Sequence, residues 1–164
     1  MNRTLLGILV CSAVCALSTA DHNANADISG AVQQITRAGA HPSLVAPSEH
    51  FTGRAWVDSL SPANTEINAS SAFVTFEPGA RSAWHTHPKG QYLVVTSGVG
   101  LTQQWGQPMQ EIRPGDVVWC PPGTKHWHGA APTIAMTHLA ITGIDSGKSV
   151  NWMEKVSDEQ YNSR

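Results

Sequence analysis

The sequence predicts an all-β fold: a small antiparallel barrel or a pair of stacked sheets, led by an extended N-terminal arm and closed by a short C-terminal helix. Three observations predict it. From residue 51 onward, short runs rich in Val, Ile, Thr, Trp and Phe follow one another. Turn residues separate them, as at Pro78 with Gly79, Pro114 with Gly115, and Pro121 with Gly123. Before residue 150 no amphipathic stretch of helical period exceeds about two turns.

The expected strands are 54–60, 71–76, 91–97, 101–105, 110–113, 116–120, 126–129 and 133–142. Closing them into a barrel removes exposed edges and makes a bore on which several strands converge. Val156 to Tyr161 is the expected helix, with Ser157 as N-cap and acidic residues in the first turn.

Three segments are expected: a signal peptide at 1–20, a polar tail and extended arm at 21–49, and the barrel domain at 50–164. Arg3 supplies a positive start, an apolar run follows, and Ser18, Thr19 and Ala20 form a small-residue cleavage site. That run is shorter than the roughly 20 residues of a spanning helix. Export places the mature chain outside the cytoplasm, with a bacterial periplasm as the expected compartment. Removal of the signal takes Cys11 and Cys15 with it. Cys120 is then alone and no internal disulfide can form. In the arm, 31–37 reads as extended, and Pro42 and Pro47 discourage a long helix.

The net charge of −2 offers no basic field for nucleic acid and no polybasic patch for a membrane. The expected partner is a small molecule. Eight histidines in 164 residues point to metal chemistry.

Gly79, His85, His87, Gln91 and Gly98 form one spaced set, and Gly115, Pro121, Gly123 and His126 form another. In a strand His85 and His87 share a face. The turn at Pro88, Lys89 and Gly90 brings Gln91 back beside them, and the second set delivers His126 from another edge of the bore. Four neutral donors then meet one divalent ion, which keeps its full +2 charge and acts as a Lewis acid. Mn, Fe, Co, Ni and Zn all suit nitrogen and oxygen donors.

His128 shares the parity of His126 and is a candidate acid/base. Trp84 and Trp127 have the opposite parity and are expected to pack away from the ion. The faces of the strand holding His138 are both apolar, so alternation does not say which way it points. His22, His41 and His50 read as surface residues, and Cys120 as a small buried hydrophobe.

The two spaced sets resemble the two sequence motifs of the cupin family, with Gln91 where the family has Glu and Ala130 where it has Asn. Phe76 through Pro88, Gly115 through Trp119, Lys125 through Ala130 and Thr137 through Ile141 further resemble the bacterial cupin hydroxynitrile lyases. Gln at the fourth ligand position and Ala at 130 are usual in that group. Lys89, Tyr92 and Thr142 depart from it. The resemblance implies a cupin jelly roll and a manganese-dependent, homo-oligomeric enzyme acting on cyanohydrins such as mandelonitrile; the extended arm at 35–49, able to add a strand to a neighbour, makes a homodimer or homotetramer the expected assembly. It implies His85, His87, Gln91 and His126 as ligands, His128 as the proton-transfer residue, and Ala72, Val74 and His138 as pocket lining. Two other functions fit the same donors: a metal-dependent dioxygenase or oxidoreductase on a small aromatic or dicarbonyl compound, and a non-catalytic binder.

Overall fold

The structure, a computed structural model, describes residues 30, 32–62 and 66–163. The expected signal peptide lies outside the described residues. Two compact units are distinguished, 1–34 and 35–164, and the second carries the fold.

In chain order the strands are β1 (Ser43–Val45), β2 (Phe51–Thr52), β3 (Ala55–Ser61), β4 (Ala69–Phe76), β5 (Arg81–Ser82), β6 (His85–Thr86) and β7 (Gln91–Gly98). There follow β8 (Gly100–Gln104), β9 (Gln110–Ile112), β10 (Val117–Cys120), β11 (His126–Ala130), β12 (Met136–Gly143), β13 (Asn151–Trp152) and the helix α1 (Asp158–Asn162). They build two antiparallel sheets. One has the order β1-β3-β4-β12-β7-β10; the other runs β13-β6-β11-β5-β2, with β8 pairing both β11 and β9. This is the double-sheet jelly roll expected from the sequence.

Each of the eight expected strands is present, with ends shifted by a few residues. The four two-residue strands were not anticipated, being too short for any alternation to register. The arm contributes one short strand. No strand forms among 32–37; Ser43–Val45 instead pairs with Trp56, Val57 and Asp58 of the same chain.

Alternation places the core between the sheets. On β12 Met136, His138, Ala140 and Thr142 are buried, and on β7 so are Gln91, Leu93 and Val95. Phe76, Val74, Val95, Ile112, Ala130 and Met136 belong to the main apolar cluster. A second cluster lies on the other face of β11, where Trp84, Leu101, Trp127, Val156 and Tyr161 pack under α1. Trp84 and Trp127 thus face away from the bore, as parity required. Ser157 caps α1 and forms a reciprocal capping box with Gln160. No helix among the described residues is long and apolar enough to cross a membrane.

Candidate metal centre and its surroundings

The site begins with turns that hold strand ends in place. Gly90 sits at φ 81°, between His87 and Gln91. A Cβ there would lie 2.4 Å from a Trp119 ring carbon and 2.8 Å from the Cys120 carbonyl oxygen. Only glycine accepts both the backbone angle and the close approach. Gly129, next to His128, lets β11 come against β5: a Cβ there would be 2.5 Å from the Ala80 carbonyl oxygen.

Three imidazoles are tied the same way. His85 Nδ1 lies 2.9 Å from the Ala83 carbonyl, His126 Nδ1 3.0 Å from that of Thr124, and His87 Nδ1 2.6 Å from that of Ser149. A carbonyl only accepts, so each ring donates its Nδ1–H and keeps a bare Nε2 when neutral. Burial holds all three rings in the neutral form. The His85 pKa is well below the ordinary value, through burial and then through His126 and His87. That of His126 is pushed down to about 4, chiefly by burial, and that of His87 is lowered by the same cause.

His87 Nε2 is buried without a hydrogen-bond partner. His126 Nε2 faces Gln91 Oε1 at 3.5 Å. With the His126 proton committed to Thr124, that contact sets two lone-pair atoms against each other, an arrangement a cation relieves. Gln91 Nε2 donates to Thr142 Oγ1 at 3.0 Å, and its Oε1 is the amide end turned toward His126. The residues therefore fit a divalent ion with nitrogen and oxygen ligands. Gln91, His85, His87 and His126, predicted from four separate positions, lie together in one buried cluster.

His128 is nearer to this cluster than parity alone conveyed. One nitrogen each from His85, His126 and His128 lie within 4.8 Å of one another. On its far side His128 Nδ1 meets His138 Nε2 at 3.1 Å. His138 is fully buried, its orientation settled toward the bore, and its pKa is pushed down to about 3 by burial. The His128 pKa is likewise well below the ordinary value, through burial and then through His138 and His85. Val74 pairs with His138, and Ala72 with Ala140, on the same inner face.

Sequence reasoning missed two neighbours. His50, read as a surface residue, stacks on Trp152 at 4.6 Å, and Trp152 packs against His85 at 4.9 Å. Both lie in segments too short or irregular to carry a periodic signal. His41 is exposed, and His22 is outside the described residues. Of the three departures, Lys89 points out to Asp145 and Tyr92 stacks outside on Trp119. Thr142 alone reaches the site.

Comparison with known proteins bears on the family and the fold. A family model described as a cupin domain matches residues 72–141. A curated (R)-mandelonitrile lyase from Granulicella tundricola is 56% identical over 128 residues, which is 78% of this chain and 98% of the relative. The crystal structure of a cupin-like protein from Thermotoga maritima superposes with a TM-score of 0.67 at 41% identity, covering 71% of this chain and 89% of that one. A cupin-2 domain from Rhodospirillum rubrum superposes with a TM-score of 0.58 at 17% identity, covering 74% and 81%, which speaks to the fold alone.

Proposed function

The chain belongs to the cupin superfamily, resembling its hydroxynitrile lyases, and from that premise we propose a metal-dependent lyase that cleaves and forms cyanohydrins such as mandelonitrile. His85, His87 and His126 through Nε2, and Gln91 through Oε1, would hold one divalent ion per chain. Manganese is the proposed metal; iron, cobalt, nickel and zinc share its taste for these donors. The supporting observation is the trio of Nδ1–H bonds to backbone carbonyls, which leaves three bare nitrogens beside an amide oxygen. When bound, such an ion supplies Lewis acidity that stabilises negative charge on oxygen or cyanide.

The chain's own residues handle the proton. With His128 Nδ1–H donated to His138, His128 Nε2 faces the site as a base. Its pKa, lowered by burial and by the neighbouring histidines, keeps the ring neutral, so Nε2 carries no proton before the substrate binds. His128 takes the cyanohydrin O–H proton, and that electron pair becomes the second C–O bond. The C–CN bond breaks with its pair on cyanide, and His128 returns the proton to release HCN beside the aldehyde. Ala72, Val74 and His138 line the wall that keeps water from the reacting carbon.

The proposal includes a small-molecule partner, no nucleic-acid or membrane partner once the signal is gone, and export to a bacterial periplasm. It also includes assembly as a homodimer or homotetramer, supported by the exposed apolar groups Tyr92, Val117, Trp119 and Ile141 on one sheet. The test is anaerobic. Manganese-loaded protein should release benzaldehyde and HCN from mandelonitrile without oxygen. Turnover only with O2 would make it an oxygenase, and tight metal binding without turnover a binder.

A further inference from the structure

Residues directly opposite one another in an antiparallel pair share a face. On β8 Gln104 lies opposite His126 and Thr102 opposite His128. Thr102 in turn lies opposite Gln110 on β9. His126 points into the bore, toward Gln91 of the other sheet. Gln104, Thr102 and Gln110 therefore point inward too. The bore has two unlike walls: buried Val74, Leu93, Val95 and Ala140 on one sheet, and amide and hydroxyl groups on the β8–β9 hairpin.

The polar wall borders a cleft of about 590 Å³ that runs to His126 and is lined from β8, β9 and β10. β10 is the edge strand of its sheet, so the cleft is the gap where the barrel does not close. The glutamines here differ in employment. Gln103, on the outer parity, accepts from Trp127 Nε1 at 3.0 Å and donates to the Gln107 carbonyl at 2.8 Å. Gln104 and Gln110 are exposed, and their side chains make no hydrogen bond among the described residues. No Lys or Arg lines the cleft, whereas Glu111 and Asp116 do.

Free amides offer both donors and an acceptor, which matches hydroxyl groups. Glu111 is paired with Arg113, while the Asp116 carboxylate accepts only the Arg113 backbone N–H and, among the described residues, keeps its charge uncompensated by a cationic side chain, which disfavours anions in the cleft. We propose that this site takes cyanohydrins of neutral, hydroxyl-bearing aldehydes, with the hydroxyl end on Gln104 and Gln110 and the hydrocarbon part on the opposite sheet. The inference rests on the lyase reading and adds the substrate class.

Three mandelonitriles test it, substituted at the para position with hydroxymethyl, ethyl or carboxylate. The first two match in size and differ in hydrogen bonding. One or two neutral hydrogen bonds predict that hydroxymethyl exceeds ethyl in kcat/KM by roughly threefold to tenfold, with carboxylate the poorest. Gln104→Met with Gln110→Met keeps side-chain length, lies at the surface, and should bring that ratio to one or below. Calorimetric binding of the corresponding aldehydes should give the same order without turnover. Preference of the unsubstituted-sequence protein for ethyl, or a ratio unchanged in the double variant, overturns the substrate class. HCN release from none of the three sinks the lyase reading, while the aldehyde titrations still decide whether the cleft selects hydroxyls.

Discussion

Replacing Thr142 by Val removes one hydroxyl and keeps the side chain's outline. In the native protein that hydroxyl accepts from Gln91 Nε2 at 3.0 Å, and both residues are buried, at 8% and 6% exposure. A buried donor left without a partner costs about 1–3 kcal/mol. The amide can escape the cost by turning over. Its NH2 would then donate to the bare His126 Nε2, and Oε1 would point at a methyl group. That flipped state suits the metal-free protein and presents no oxygen to an ion. Binding must reverse the flip, so affinity should fall by about 1–3 kcal/mol, roughly fivefold to 150-fold. Competition with a fluorescent chelator measures this directly. Thr142→Ser keeps the hydroxyl and should stay within about threefold of the parent. Melting in EDTA separates loss of affinity from loss of fold. A Val variant that binds manganese within twofold of the parent, or a Ser variant as weak as Val, would refute the account of Gln91.

Other outcomes follow from the same geometry. His128→Ala should lower mandelonitrile turnover by about 10² to 10⁴ while the protein keeps its metal, measured by steady-state kinetics beside metal analysis; full activity would remove His128 from the mechanism. Trp127→Ala should cost about 3–5 kcal/mol in urea unfolding, because the ring is fully buried under α1. The Cys120 thiol is pushed up to about 12 from its ordinary 9 by burial. It should ignore a thiol reagent at pH 9 in the native state and react on unfolding. The sign for stability is the matching one: the unfolded chain loses this proton first, so the contribution is intact below pH 9 and fades as pH climbs toward 12.

The parts legible in the sequence were those with a period or a punctuation mark. The eight longer strands show alternation and lie between turn residues, and the helix carries its cap. Spacing also gathered His85, His87, Gln91 and His126, because a hairpin turn and a strand parity are local facts. What stayed hidden depended on register between distant strands. His138 sits in a segment apolar on both faces. Its direction is set by pairing with Val74 on one side and with Val95 on the other, across an irregularity in the β12–β7 ladder. Thr142 became relevant only when the same ladder placed it opposite Gln91. His50 and Trp152 back the site from segments of irregular backbone or two-residue strand, which carry no periodic signal.

The position of β11 explains how so many neutral histidines can be held without disorder. One face of this strand gives His126 and His128 to the bore, with Ala130 of the same parity in the main apolar cluster and Phe76 edge-on to His128. The other face gives Trp127 to the cluster beneath α1. Arg81 binds this layer together: its guanidinium donates to the Val156 carbonyl and to Asp158, and lies 4.6 Å from the Tyr161 ring. Tyr161 in turn donates to the Ala130 carbonyl at 2.7 Å, at the end of β11 itself. The strand is thus clamped from outside by apolar burial and a hydrogen-bond network, so its inner face does not carry stability alone. Polar groups can converge there because another surface of the same five residues supplies the packing.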